Sequence, residues 1–154
     1  MAKTATPFGF FVMMLPPRKN WLRIKRPIYQ ALLDHLLALA PHEGCGLLAG
    51  HWATQTVTTL YVIENQADQP TIQFLMNPQM QLDAFVELET AVLDLLAIYH
   101  SHPQGPDHPS ATDMAQAHYP QVIQIIVSLT PPQPKLRAFW VTKFDFSEIA
   151  LRIE

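Results

Sequence analysis

The sequence predicts an α/β domain with a mixed sheet of about seven strands and about three helices, and three observations support this. The chain has 154 residues, of which 49% are apolar and 15% are charged, so it can bury one core. Short runs rich in β-branched residues recur along it, which is typical of strands. Between these runs lie stretches whose apolar residues repeat at helical spacing.

The N-terminal half is predicted to contain four strands around one helix. Pro27 suits the first position of this helix, and Pro41 ends it. Apolar residues at spacings of three and four give the helix one buried stripe, made of Ile28, Leu32, Leu36 and Leu39. The strands are expected at residues 21–26, 43–50, 56–64 and 72–76.

A second helix is predicted to begin at Asn77 and Pro78, because asparagine caps helices and proline suits their first position. We expect this helix to end near residues 93–95. Its apolar residues also repeat at spacings of three and four, which predicts a buried face made of Leu82, Phe85, Leu88 and Val92.

The C-terminal half is predicted to alternate strands with one short helix. A strand over residues 97–100 is followed by a rigid loop over 103–109, which contains three prolines and a glycine. Ser110 begins a short helix that ends before Pro120. Further strands are expected at residues 122–129, 135–142 and 149–153.

The charge of the chain argues against one class of function. The formal net charge is −3, so a broad basic surface for nucleic acid is not expected. Five of the ten basic residues nevertheless cluster near the first strand: Arg18, Lys19, Arg23, Lys25 and Arg26. We favour a solvated strand edge as the explanation, because basic side chains there prevent unwanted strand pairing. A patch for an acidic partner is the alternative.

The cysteine content and the N-terminal segment bear on location. Cys45 is the only cysteine, so no intrachain disulfide can form, and we expect a small buried residue in a cytoplasmic protein. Residues 7–15 form an apolar run that is too short to span a bilayer and lacks a signal cleavage site. We therefore expect a flexible leader over residues 1–19, a functional domain over residues 20–154, and no membrane partner.

Candidate functional residues follow the strand at residues 97–100. His100 and His102 are two residues apart, and at a strand end such residues point to one side, where two imidazoles can meet a metal ion. Taken alone, two histidines that leave a strand into a surface loop are the simpler explanation. Ser110 and Asp113 match a capping box, which by itself accounts for their spacing. Asp113 can still approach the histidines, because the loop before it can fold back.

The combination resembles the JAMM (MPN+) metalloprotease family. Four residues match the family motif at its spacing: His100, His102, Ser110 and Asp113. Glu43, which alone suits a surface glutamate at a strand start, matches the upstream glutamate of the family in Glu-x-Cys-Gly-Leu-Leu-x-Gly. The resemblance covers about residues 21–154. It is to the minimal prokaryotic type, because the segment between Asp113 and the next strand is short.

This resemblance implies an MPN-type fold, similar to that of cytidine deaminases, and a zinc-dependent peptidase or isopeptidase. The zinc ligands would be His100, His102 and Asp113, which leaves one position for water, as in catalytic zinc sites. Glu43 would act as general acid–base, and Ser110 would stabilise the oxyanion. The implied substrate is the C-terminal tail of a ubiquitin-like or sulfur-carrier protein.

Two other functions are considered. Relatives that lack the metal ligands act as non-catalytic scaffolds, and the presence of all ligand positions disfavours that alternative here. A zinc deaminase has a similar fold, but its signature requires more than one cysteine, which this chain does not have.

Overall fold

Residues 19–154 are described by the computed structural model, and they form seven strands and three helices. Seven of the eight segments that the sequence predicts as strands form strands, and all three predicted helices are present. The leader predicted over residues 1–19 lies outside the described residues except for Lys19. None of the three described helices is long and apolar enough to cross a membrane. The strands are β1 (Trp21–Ile24), β2 (Cys45–His51), β3 (Thr56–Ile63), β4 (Asp94–His102), β5 (Ile123–Ser128), β6 (Lys135–Val141) and β7 (Phe146–Ile153). The helices are α1 (Arg26–Leu39), α2 (Pro78–Thr90) and α3 (Ala111–Ala115).

The strands close into a barrel in the order β1-β3-β2-β4-β5-β6-β7. Strand β1 closes it by pairing in parallel with both β3 and β7. Strand β4 pairs with β2 in antiparallel and with β5 in parallel orientation, so it is covered on both edges. The mixed sheet predicted from the sequence is confirmed, and its closure through β1 is an additional feature. Strand β4 lies in the middle of the strand order and is buried along almost its whole length.

Side chains of β4 alternate between two cores on opposite faces of the sheet. On one face, Tyr99 belongs to the same core as Leu32 and Leu36 of α1. On the other face, Ile98 shares a core with Phe85 of α2. Because successive residues of a strand point to opposite faces, the even-numbered residues that follow in β4 also point to the α2 side. The alternation therefore directs the C-terminal histidines of β4 to one place.

Helix α2 begins as predicted and ends earlier. Asn77 caps it by accepting hydrogen bonds from two backbone N–H groups of the first turn. The helix ends at Thr90 rather than near residues 93–95. The physical reason is Val92, whose φ of 57° lies in the left-handed region, which a right-handed helix does not include.

The buried face of α2 differs from the predicted one. Phe85 and Leu88 are buried as expected, but Leu82 is 52% exposed and Val92 is 79% exposed. Ala84 is buried in their place. A stripe of apolar residues does not reveal which of its members meet the sheet, because that depends on how the helix lies against β3 and β4.

The strand predicted over residues 72–76 is wrong. This segment is part of the loop between β3 and α2, and it makes one isolated bridge to Asn65. The N–H groups of Ile72 and Gln73 both donate to the carbonyl of Gln69, so they form a turn instead of a ladder. The loop is named the β3–α2 loop below.

Replacement of Leu88 by alanine should lower the free energy of unfolding by about 2–5 kcal/mol, because it removes buried contacts and leaves a cavity. Leu82→Ala on the same helix is the matched control. It should change the free energy of unfolding by less than about 0.5 kcal/mol, because that side chain is half exposed. Urea unfolding measures both, and equal losses would contradict the orientation of α2.

Candidate metal centre

Two imidazoles meet at the C-terminal end of β4. His100 and His102 point to the same side of the strand, and their Nε2 atoms are 3.1 Å apart. Both are buried, with 1% and 6% of the residue exposed. The sheet holds them there, since His100 is paired with Cys45 of β2 and with Ile126 of β5. Burial excludes a pair of surface histidines, which was the simpler explanation of the spacing.

A capping box aims a carboxylate at these imidazoles. Ser110 Oγ accepts a hydrogen bond from the Asp113 N–H at 3.0 Å, and Asp113 Oδ2 accepts one from the Ser110 N–H at 2.8 Å. The Asp113 carboxylate contacts both rings, with Oδ1 3.1 Å from His100 Nε2 and Oδ2 3.2 Å from His102 Nε2. The capping box and the approach to the histidines are therefore one arrangement.

Burial and hydrogen bonding act in opposite directions on these groups. Burial would raise the pKa of Asp113, but hydrogen bonds from His100, His102 and the Ser110 N–H outweigh it and hold that pKa well below its usual range. Burial would lower the pKa of His102, but its bonds to Asp113 and the Pro106 carbonyl raise it. Burial does lower the pKa of His100. Asp113 is therefore an anion, which is the form that binds a cation.

The ring of His102 is oriented by the loop that follows β4. Its Nδ1 lies 2.7 Å from the carbonyl oxygen of Pro106, and a carbonyl only accepts, so this nitrogen carries a proton. In the neutral ring, that tautomer leaves the lone pair of Nε2 available for a metal ion. An outer hydrogen bond of this kind is typical of histidines that bind metals.

The ring of His100 is held by packing instead. It stacks on Phe74 of the β3–α2 loop, with ring centroids 4.3 Å apart. Its Nδ1 is buried and has no hydrogen-bond partner in the described part of the chain. Burial of this unpaired atom costs about 1–3 kcal/mol. Packing on Phe74 nevertheless holds the ring with its other nitrogen, Nε2, beside His102 and Asp113.

Glu43 lies beside the imidazoles, not on the surface. It is 4% exposed, and its Oε1 is 3.9 Å from His102 Nε2. Its other oxygen, Oε2, is buried without a partner among residues 19–154. Burial raises the pKa of Glu43 to about 7, with the charge of His102 opposing and that of Asp113 reinforcing the shift. A buried carboxylate with one oxygen unpartnered at this point indicates a ligand or a proton acceptor.

One residue that supports Glu43 gives no signal in the sequence. The side-chain Nδ2 of Asn65 donates to the backbone carbonyls of Glu43 and Gln73, each at 2.9 Å. Its Oδ1 accepts from the N–H groups of Ala67 and Leu75. Asn65 thereby ties the β3–α2 loop to the segment that carries Glu43. A polar residue at the start of a predicted loop does not reveal such a role.

The donor set suits a tetrahedral divalent ion such as zinc. With bonds of about 2.0–2.2 Å, tetrahedral zinc holds neighbouring donors roughly 3.3 Å apart. The two Nε2 atoms of His100 and His102 are 3.1 Å apart, and each lies close to a different oxygen of Asp113, Oδ1 at 3.1 Å from His100 and Oδ2 at 3.2 Å from His102. Glu43 also offers an oxygen within 4.8 Å of both histidines, so two carboxylates flank the imidazole pair. Glu43, His100 and His102 form a buried group that could hold a metal ion, and the partly buried Asp113 lies closer to both rings than Glu43 does.

The metal-binding group lies in a cavity of about 1060 Å³. The β3–α2 loop contributes residues 71–76 to one wall, and residues 103–106 after β4 contribute to another. The charged lining includes Glu43, Asp68 and Asp113, while no lysine or arginine occurs among the described residues that line the cavity. Its charge therefore suits a bound cation.

Cys45 is the buried residue that the sequence predicts. It is fully buried, and its thiol donates to the carbonyl oxygen of Ile63 at 3.5 Å. Burial, reinforced by the charge of Glu43, raises the pKa of the thiol to about 12. The thiolate required of a nucleophile or a ligand is therefore strongly disfavoured at neutral pH.

Comparisons with known proteins agree with this site. The family described as prokaryotic homologs of the JAB domain matches residues 25–142. A desampylase of Haloferax volcanii is 32% identical over 114 residues, which cover 74% of this chain and 80% of the relative. A probable TtuB-protein conjugate cleaving protease of Thermus thermophilus is 40% identical over 98 residues, which cover 64% of each protein.

A solved structure agrees with the fold. The crystal structure of a JAB1/MPN domain protein from Archaeoglobus fulgidus matches with a TM-score of 0.57 at 16% identity. The match covers 88% of this chain and 100% of that chain. The MPN-type fold implied by the motif is therefore confirmed.

The site should bind one divalent metal ion per chain. His100→Ala should weaken binding by at least about 100-fold, because loss of a mere outer contact to a metal ligand already costs about 10–100-fold. His51→Ala, at the exposed end of β2, is the matched control and should bind like the wild type. Elemental analysis measures the stoichiometry, and competition with a chelator measures the affinity. Equal binding by both variants would contradict the site.

Proposed function

The chain belongs to the family of prokaryotic homologs of the JAB domain, and on this premise we propose that it is a zinc-dependent peptidase or isopeptidase. The proposed reaction is hydrolysis of an amide bond at the C-terminal tail of a ubiquitin-like or sulfur-carrier protein. The relatives named desampylase and TtuB-protein conjugate cleaving protease support this substrate class. We assign the activity to residues 20–154 and expect it in the cytoplasm.

One observation carries the proposal: two imidazoles and a carboxylate converge, and a second carboxylate, whose Oε2 has no partner among residues 19–154, lies beside them. We assign His100, His102 and Asp113 as zinc ligands, because their donor atoms are the closest and Asp113 is ionised. Glu43 is assigned as general acid–base, because its buried carboxylate lies beside the proposed ligands and its Oε2 has no partner among residues 19–154. Zinc would supply a Lewis acid that polarises the substrate carbonyl and acidifies water.

Glu43 would carry the proton during hydrolysis. Its carboxylate accepts a proton from the attacking water as the water oxygen bonds to the carbonyl carbon. It then donates that proton to the amide nitrogen as the C–N bond breaks, which releases an amine and a carboxylic acid. Two contacts support its position: Ser101 Oγ accepts from the Gly44 N–H at 2.9 Å, and Asn65 binds the carbonyl of Glu43.

Ser110 is the proposed oxyanion donor. Its Oγ accepts the N–H of Asp113 in the capping box, and a hydroxyl that accepts one hydrogen bond still has its own proton to donate. It lines the same cavity as the proposed ligands. A donor aimed at the tetrahedral oxygen stabilises the transition state more than the substrate.

The cavity supports an extended protein tail as the substrate. It has a volume of about 1060 Å³ and is bounded by the β3–α2 loop and by residues 103–106, so it has room for several residues of an extended chain. A leaving group with a free carboxylate finds no lysine or arginine among the described lining residues. An isopeptide or internal amide bond therefore suits the cavity better than a single C-terminal amino acid. The scaffold alternative is disfavoured because every residue of the proposed site is present and close to the others.

Cleavage assays test the proposed activity. Zinc-loaded protein is incubated with the ubiquitin-like proteins of its host, in fused and in conjugated form, and mass spectrometry reads the products. The wild type should release the modifier with a free C-terminus. Glu43→Gln should retain zinc but lose about 10²–10⁴-fold in rate, because the acid–base group is missing. Absence of cleavage by the wild type, or full activity of the variant, would refute the assignment.

Substitution of Ser110 separates its two roles. Ser110→Ala should slow turnover by about 10²–10³-fold if the hydroxyl stabilises the oxyanion. Loss of the cap alone would cost about 1 kcal/mol of stability with little effect on kcat. Ser110→Thr keeps both the hydroxyl and a capping oxygen, so it should retain most of the activity. Steady-state kinetics and thermal unfolding of both variants distinguish the two roles.

A further inference from the structure

The loop over residues 103–109, named the β4–α3 loop, folds back over the ring of His102. The carbonyl of Pro106 accepts the hydrogen bond from Nδ1 of this histidine at 2.7 Å. At Gly105 the backbone is so close that an added Cβ would lie 3.0 Å from His102 Cβ and 3.3 Å from its Cγ. The front of the loop therefore contacts a proposed ligand directly.

The other side of the β4–α3 loop is fixed to the barrel by Asp107, the residue after Pro106. Arg137 of β6 donates from Nη1 to Asp107 Oδ1 at 2.8 Å and to the Asp107 carbonyl at 3.4 Å. Lys135 places its Nζ 2.9 Å from Asp107 Oδ2. The two cations differ in their exposure to solvent: the side chain of Arg137 is 26% exposed and that of Lys135 is 65% exposed.

Arg137 is itself held on its far side. Its Nε and Nη2 donate to the two carboxylate oxygens of Glu148 on β7, at 2.7 and 2.9 Å. A two-point contact of this kind fixes the plane of a guanidinium. The remaining nitrogen, Nη1, therefore points at Asp107 from a fixed position. A lysine has a single nitrogen and cannot hold two carboxylates in this way.

We propose that Arg137 is a positioning residue for the metal centre, which holds the Pro106 carbonyl against His102 through Asp107. The contacts form one continuous path from β7 to the imidazole: Glu148, Arg137, Asp107, Pro106 and His102. Loss of the anchor would free the β4–α3 loop to move away from the ring. His102 would then sample other orientations, and ordering it again would reduce the free energy of metal binding.

The direction in which zinc affinity changes on substitution of Arg137 distinguishes a positioning role from a purely electrostatic one. Removal of a positive charge near a cation site should leave the affinity for zinc unchanged or strengthen it, because it reduces repulsion. Loss of positioning should weaken the affinity. Lys135 provides a matched control, since it contacts the same carboxylate and carries the same charge but is exposed and lacks the contact to Glu148.

Zinc affinity is measured by competition with a chromophoric chelator on the metal-free, folded protein. Arg137→Gln should weaken zinc binding by about 10-fold or more, the usual consequence of losing an outer contact to a metal ligand. Lys135→Gln should remain within about twofold of the wild type, because exposed ion pairs contribute little. Unchanged affinity in Arg137→Gln, or an equal loss in Lys135→Gln, would overturn the proposal.

A second variant keeps the test valid if Arg137→Gln folds poorly. Arg137→Lys keeps the positive charge but cannot hold Glu148 and Asp107 together, so it should weaken zinc binding with no change in local charge. Asp107→Ala removes the same contact from the loop and should weaken zinc binding to a similar extent. The double variant should then bind no more weakly than either single variant, because both remove one interaction. If the losses of zinc-binding free energy in the two single variants added up in the double variant, Arg137 and Asp107 would act independently, which would contradict the proposed path. The readout needs no substrate, so failure of the proposed peptidase activity would leave this inference intact.

Discussion

The hydrogen bond from the Ser110 N–H to the Asp113 carboxylate is the contact on which the metal centre depends. An acidic side chain on a short helix has several rotamers, and this bond selects the one that reaches both imidazoles. The carboxylate is thus ordered by its own backbone before any ion binds, which lowers the entropic cost of binding. Because the same bond begins α3, the helix and the metal-binding group form together.

The central place of β4 in the sheet determines the electrostatic setting of this group. Strand β4 has a partner on each side, so its two C-terminal histidines are buried instead of lying at an edge. In these buried surroundings the two nearby carboxylates, Asp113 and Glu43, differ in pKa. Asp113 accepts hydrogen bonds and stays ionised, whereas Glu43 lacks them on one oxygen and its pKa rises to about 7. Two chemically similar groups thereby become suited to different tasks, an anionic ligand and a proton carrier.

Local sequence patterns were sufficient for much of this description. Proline and asparagine predicted where α1 and α2 begin, and the alternation of residues predicted that His100 and His102 share one side of a strand. The spacing of Ser110 and Asp113 predicted the capping box. Each of these features depends on residues a few positions apart, so chain geometry alone determines it. The link from Glu43 to this group came from the family resemblance, because no local spacing connects them.

The sequence by itself therefore determined most of the elements, the paired imidazoles and the capped acid. Only the tertiary structure decided that the sheet closes, that residues 72–76 form a loop, and that Leu82 faces solvent while Leu88 is buried. It also decided the outer contacts, such as Asn65 on the carbonyl of Glu43 and the Pro106 carbonyl on His102. The physical reason is that these outcomes depend on how separate surfaces pack and on which buried polar groups find partners. Neither is encoded in the spacing of neighbouring residues.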